Sequence, residues 1–273
     1  MKRWATEAWQ TWRLSLQFFS RLPVGQVAYC PERQVRILRF LPAVGALFAL
    51  LTAALTVLVT SLDFISPFES AFIVLVFWVW LSGALHLDGL ADSADAALGT
   101  YRNPERALQI MHDSRIGSAA AVALVLLLLG KWLLLVGSFT WLAASPTLWL
   151  QGGAIWLAIL MMARLLPLAL IRSTPCASTT PAHQAMFTQV GFPILIGHLV
   201  LISALLVWVS PWALLLWLPW MGLLLWQRRF ALRLLGGVNG DLLGLSIETA
   251  ELCLLLCALW LVRSGALQTT AVQ

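Results

Sequence analysis

Charge is what this sequence has least of: Asp, Glu, Lys and Arg supply only 11% of its 273 residues, against about a quarter in soluble domains. Cysteine is also sparse. Cys30, Cys176, Cys253 and Cys257 are scattered, and only the last two share a helical spacing, inside an apolar run where thiols pack as small hydrophobes. That excludes a disulfide framework and a cysteine-based zinc site. His86, His112, His183 and His198 form no ligand spacing, and His198 reads as structural. No Ser/Gly/Pro-rich linker, charge block or internal repeat divides the chain, so a single integral membrane domain over residues 1–273 is expected. The start, MKRWATEAWQTWRLSLQFFSRLP, lacks the continuous apolar core of a signal peptide and is expected to be retained.

What is abundant is apolar. Hydrophobic residues make up 60% of the chain and the mean hydropathy is +0.87, which indicates an all-α, polytopic integral membrane helix bundle. Runs of about 20 apolar residues predict seven transmembrane helices, near Leu41–Leu62, Ala71–Leu87, Ala119–Val136, Leu148–Ile171, Val190–Val209, Trp212–Trp226 and Leu243–Val262. The sixth is short, and its junction at Ser210–Pro211 leaves six spans as the alternative. A net charge of +5 and a pI near 9.5 record orientation in such a chain rather than a nucleic-acid partner. Lys2, Arg3, Arg13, Arg21, Arg33, Arg36 and Arg39, interleaved with Trp4, Trp9, Trp12, Phe18 and Phe19, make residues 1–40 a cytoplasmic, interfacial segment. The loops at 63–70, 137–147 and 210–211 have no Lys or Arg and should face out. Those at 88–118, with Arg102, Arg106 and Arg115, at 172–189, with Arg172, and at 227–242, with Arg228, Arg229 and Arg233, should face in.

The scarce acidic residues are concentrated. Five of the twelve, Asp88, Asp92, Asp95, Glu105 and Asp113, lie between His86 and Gly117. On a continuing helix Asp88, Asp92 and Asp95 stand at i, i+4 and i+7, within about 60° of one another. Like charges this close destabilise a helix unless a cation joins them, and an all-oxygen set favours Mg²⁺ or Mn²⁺. Asn103-Pro104 reads as the cap and first residue of a short helix through Met111. That helix returns Asp113-Ser114-Arg115 toward the membrane as a second wall, where Arg115 suits a phosphate and Asp113 a metal ligand or base. Solvated loop charge and a loop-closing Asp–Arg pair are the plainer readings.

Lys131 and Arg164 sit within apolar runs, where a charge needs a partner or a polar cavity; around a polyanionic substrate both would line it. Near the end, Gly236, Gly240 and Gly244 permit close packing, and Asp241 and Glu248 share a face. Glu248, inside the last apolar run, is expected to meet one of the buried bases or a hydroxyl.

The segments HLDGLADSAD (86–95), IMHDSRIG (110–117) and GGVNGDLLG (236–244), with FSRLPV (19–24) and LPAVG (41–45), closely resemble the signatures of the cobalamin-5′-phosphate synthase, or adenosylcobinamide-GDP ribazoletransferase, family over nearly the whole chain. The resemblance implies a bacterial inner-membrane enzyme with a cytoplasmic N-terminus and a cytoplasmic active-site loop at 88–118. Its reaction would join α-ribazole or α-ribazole 5′-phosphate to adenosylcobinamide-GDP, release GMP and require Mg²⁺. It further implies Asp88, Asp92, Asp95 and Asp113 as catalytic and metal residues, and His86, Arg115, Lys131, Arg164, Asn239 and Asp241 as substrate contacts. The chain departs from the family pattern at Arg172–Pro181, where a basic segment is usual, and at His112, commonly Lys or Arg. A CDP-alcohol phosphotransferase, a divalent-cation transporter and a corrinoid-assembly scaffold are the other readings, and a homo-oligomer is left open.

Overall fold

Residues 2–28, 30–62, 64–100, 103–143, 148–178 and 180–267 are described by a computed structural model; Arg102, counted above among the inward-facing loop charges, lies outside them. Twelve α-helices follow one another among these residues: α1 (Lys2–Phe19), α2 (Pro31–Gln34), α3 (Leu41–Thr60), α4 (Pro67–Ser82), α5 (Leu85–Gly99), α6 (Pro104–Met111), α7 (Ser118–Leu142), α8 (Leu148–Ser173), α9 (Pro181–Thr188), α10 (Phe192–Val209), α11 (Trp217–Leu235) and α12 (Gly240–Arg263). A single-residue parallel bridge, Cys176 to Val238, is the one β-type pairing among them.

Local chemistry sets the helix starts. Ser66 and Glu69 form a reciprocal capping box ahead of Pro67 at α4. Asn103 accepts from the Arg106 N–H ahead of Pro104, the cap expected from sequence. Asn239 accepts from the Leu242 N–H and so caps α12.

Five helical stretches are long and apolar enough to cross a membrane: Ile37–Thr60, Ser118–Leu142, Leu148–Ser173, Phe192–Val209 and Gly240–Arg263. The chain is therefore a multi-pass membrane protein. Large apolar side chains such as Val122, Leu126 and Leu133 of α7 and Val200, Leu201 and Trp208 of α10 remain exposed on its outside, as lipid contact requires. The centre belongs to α8 and α12, whose apolar windows are 83% and 67% buried against 22% for α10. Gly45 lets α3 close on α8, since a Cβ there would run into the Leu160 carbonyl and the Arg164 stem.

Two of the seven expected spans need correction. The run Ala71–Leu87 is not one straight helix: α4 stops at Ser82, and Gly83 and Ala84, both left-handed at φ 61° and 60°, swing α5 away by 85°. Counted as one broken passage, the pair makes a sixth span at most. The run Trp212–Trp226 opens as a 3-10 turn, Pro211–Leu216, and continues into α11, whose second half carries Arg228, Arg229 and Arg233, so it does not qualify by length and composition. Even so, α11 packs on α12, and the 3-10 turn that leads into it is tied to the end of α12 by the Ser210 hydroxyl, which donates to the Ala266 carbonyl at 3.1 Å.

Two buried carboxylates and two buried cations meet inside the bundle. Lys131 of α7 pairs with Glu248 of α12 at 2.6 Å and also with Glu251, and Arg164 of α8 pairs with Glu251. Lys131 Nζ lies 4.4 Å from the centre of the Trp78 ring and the Arg164 guanidinium 5.3 Å from that of Phe48, so aromatic faces cover what the carboxylates leave open. The expectation that Glu248 meets a buried base is met.

Candidate functional site at the α5–α12 crossing

Because α5 turns through 85° instead of extending α4, it lies against the end of the bundle where α7 and α12 begin, meeting Gly117 and Ala120 on one side and Asp241 on the other. Its small residues allow a backbone-to-backbone crossing with α12. A Cβ on Gly89 would come within 2.6 Å of the Asp241 carbonyl oxygen and 3.0 Å of its Cα, and one on Gly244 within 3.1 Å of the His86 carbonyl oxygen. This contact sets Asp241 beside the acidic face of α5. Asp88 is exposed, whereas Asp92, Asp95 and Asp241 are half-buried. Partial burial first, then the charges of Asp88, Asp241 and Asp95, push the Asp92 carboxyl up from its ordinary 3.8 to about 6. Gly89→Ala should part the two helices, because the obstruction is backbone and cannot rotate aside. A loss of about 1–3 kcal/mol of stability is expected, read as a lower melting temperature in detergent; an unchanged melt would refute the close crossing.

Asp95 is engaged differently from its neighbours. Its Oδ2 accepts from the Gly117 N–H at 2.6 Å and its Oδ1 from the Ala120 N–H at 2.9 Å. The carboxylate thus caps α7 from another helix and fastens the DSRIG turn to α5. Asp95→Ala removes both acceptors and is expected to cost about 0.5–2 kcal/mol, with amide exchange at Gly117 to Ala121 accelerated ahead of the rest of α7.

Asp113 and Arg115 form one exposed unit. Arg115 donates from its main chain, Nε and Nη2 to the Asp113 carboxylate, the last at 2.6 Å, and that guanidinium holds the Asp113 carboxyl down to about 2. The pair borders a cavity of about 420 Å³ together with Asp95, Gly117 and Ser118, so Arg115, anchored by Asp113, faces the Asp95 end of the acidic helix.

Of the other expected substrate contacts, Asn239 reaches the site and His86, Lys131 and Arg164 are buried away from it. His86 is 4% exposed, packed against α12, and neither ring nitrogen has a partner among the described residues. Lys131 and Arg164 are 4% and 0% exposed and engaged with Glu248 and Glu251, so they do not face the aspartates. Asn239 is buried: besides capping α12, its amide donates to Asp241 Oδ2 at 2.8 Å, fixing that carboxylate.

Sequence reasoning passed over two groups. His112, after α6, and His183, on α9, both lie within electrostatic reach of Asp241. His183 is carried there because the segment after α8 is stitched to the one before α12: Val238 N–H donates to the Pro175 carbonyl at 2.8 Å and Ala177 N–H to the Val238 carbonyl at 2.9 Å. The signal in the sequence was Gly237, where a Cβ would press within 2.6 Å of the Pro175 carbonyl oxygen.

Among the described residues no three His, Cys, Asp or Glu side chains converge tightly enough to cage a metal ion. Mg²⁺ does not ask for a cage, since it binds through one or two carboxylates, waters and substrate phosphates. The uncompensated charge around Asp92 and the all-oxygen donors Asp88, Asp92 and Asp241 fit it on those terms.

A family model described as cobalamin-5-phosphate synthase matches residues 11–259. An adenosylcobinamide-GDP ribazoletransferase of Ectopseudomonas mendocina is 38% identical over 250 residues, covering 89% of this chain and 96% of the relative. One of Vibrio cholerae is 33% identical over 250 residues, covering 90% and 92%, and one of Geobacillus kaustophilus 29% identical over 288 residues, covering 96% and 99%. No solved structure matches the chain.

Proposed function

Because the chain belongs to the cobalamin-5-phosphate synthase family, we propose that it is a membrane transferase joining α-ribazole, or its 5′-phosphate, to adenosylcobinamide-GDP with release of GMP. The observation that carries the chemistry is the meeting of Asp88 and Asp92 with Asp241 at the α5–α12 crossing, where partial burial and the neighbouring carboxylates raise Asp92 to about 6. One or two of these carboxylates, with water and substrate phosphate, would hold Mg²⁺, which would supply the positive charge that a pyrophosphate substrate requires. The protein's own groups do the rest. Arg115, oriented by Asp113 and open to solvent, grips a phosphate oxygen with its fork of donors. A ribose hydroxyl of ribazole bonds to the phosphorus that carries cobinamide, and the bond from that phosphorus to the bridging oxygen breaks. GMP leaves with the electron pair, and the hydroxyl proton passes to a carboxylate of the acidic face.

We assign the enzyme to a bacterial inner membrane, with its N-terminus and its aspartate end in the cytoplasm. Arg228, Arg229 and Arg233 toward the end of α11 and Arg172 at the end of α8 support that orientation. The test is GMP release by the full-length protein in lipid nanodiscs. Release should require both substrates and Mg²⁺ and stop on chelation. Release with either substrate omitted, or undiminished by chelator, would refute the reaction or its metal requirement.

A further inference from the structure

The bend that separates α4 from α5 also shapes a cavity to which Asp88 is the one contributor among the residues assigned above. Gly83 tolerates its left-handed backbone, but Ala84 is the one non-glycine residue with positive φ among the described residues, at a cost of about 1–2 kcal/mol. Strain of this kind persists where surrounding structure imposes it. Here the imposing contact is the chain leaving α1. The Arg21 N–H donates to the Leu81 carbonyl at 2.9 Å, and the Arg21 side chain lies over Gly83, where a Cβ would collide with Nε and reach 3.0 and 3.1 Å from Cγ and Cδ. The bend, closed by the Ala84 N–H donating to the Val79 carbonyl at 3.2 Å, thus leaves just the room in which this arginine lies flat. Its guanidinium makes no hydrogen bond or ion pair among the described residues. With Gln17, Ser20, Ser82 and Asp88 it lines a cavity of about 380 Å³, a size within the range of ligand sites.

An unpaired guanidinium, a side-chain amide and a carboxylate facing one space call for a ligand that is anionic toward the arginine and metal-bridged toward the aspartate. A phosphate is that ligand: it matches the arginine fork with two parallel hydrogen bonds and shares its other oxygens with a divalent ion. We propose that Arg21 binds the phosphate of the nucleoside monophosphate half of the substrate, so that the Arg21 cavity is the leaving-group side of the site and the Arg115 cavity the other. The proposal rests on the transferase reading above. A lipid headgroup offers the same phosphate, since α1 is an amphipathic helix with Trp9 and Phe18 exposed. Asp88 across the cavity favours the nucleotide, because it repels a phosphate that brings no divalent ion with it.

The experiment uses full-length wild type, Arg21→Gln and Arg21→Lys in phosphatidylcholine nanodiscs, with a thermal melt on each. Two readouts are taken: binding of labelled GMP in the presence of Mg²⁺, and the KM of each substrate. Arg21→Gln should weaken GMP binding and raise the KM for adenosylcobinamide-GDP by about tenfold, the loss of one charge-assisted phosphate contact, with the KM for ribazole unchanged and Arg21→Lys in between. If Arg21→Gln does not melt cooperatively, Arg21→Lys, which keeps the charge but loses the fork, carries the test with a smaller shift in the same two quantities. GMP binding equal in wild type and the folded variant overturns the proposal while leaving the transferase reading intact. GMP binding that depends on Arg21 in a protein that turns over nothing supports the phosphate site and refutes the reaction. If phosphatidylglycerol displaces GMP from wild type and stabilises it, but does not stabilise Arg21→Gln, the site is a lipid site and the nucleotide proposal falls.

Discussion

Asp92→Asn is expected to reduce GMP release by at least about 100-fold while leaving the protein folded, and to make the Mg²⁺-free protein more stable near neutral pH. The first effect follows from removing one charge of a cation site that has few protein ligands to spare. The second follows from the sign of the Asp92 shift. Its carboxyl is raised from 3.8 to about 6, so between those values the folded protein holds a proton that the unfolded chain has released. Ionising Asp92 thus costs the fold stability as pH rises through that window, and the loss persists above it. In chelator, the wild-type melting temperature relative to Asp92→Asn should fall as pH is raised from about 4 to about 7. Added Mg²⁺ should restore it at the upper end and do little at the lower. A variant that melts like wild type at every pH, with or without Mg²⁺, would remove the case for a cation at this carboxylate. A residue unfavourable to the fold and required by the proposed chemistry is how active sites trade stability for function.

The second large effect lies in the membrane interior. Glu251 alone contacts both buried cations, so Glu251→Leu leaves Lys131 and Arg164 with Glu248 as the one remaining carboxylate of the cluster. Breaking a buried pair from one side costs about 3–5 kcal/mol, and Arg164 already has Nε and Nη2 buried without partners among the described residues. We expect no monodisperse protein from Glu251→Leu. By contrast, the double variant Lys131→Met with Glu248→Leu removes one charge of each sign and leaves Arg164 with Glu251, so it should purify and melt close to wild type. If the double variant were as damaged as the single one, charge balance would not be what the cluster provides. The comparison also separates a structural role from a substrate role, since the double variant should keep its KM values.

The apolar runs and the aspartate spacing were legible because both depend on period and composition alone. Leu148–Ile171 is found as Leu148–Ser173 and Leu243–Val262 as Gly240–Arg263, and the acidic face of α5 follows from i, i+4, i+7 geometry. The break at Gly83–Ala84 was not legible. Glycine is common in membrane helices, and nothing in the run AFIVLVFWVWLSGALHL announces that the arginine at position 21 will lie across it. Lys131 and Arg164 illustrate the same limit: their depth could be read from the sequence, but which way they face depends on Glu251, 120 and 87 residues away. Asp95 is the subtlest case. Its place on the acidic face was foreseen, yet its oxygens go to main-chain N–H groups 22 and 25 residues on, a partnership no local pattern encodes.

The contact of Gly89 with the Asp241 backbone bears on how substrate is received. Spacing between functional groups is ordinarily held by side chains, each with rotamers that must be frozen when a ligand arrives. Here the separation between the α5 carboxylates and Asp241 is held by two main chains touching, and main chain inside a helix has no rotamers left to lose. The ordering entropy of that part of the site has been met during folding, so on the proposed reaction binding free energy at the acidic face can go to the transferring phosphate.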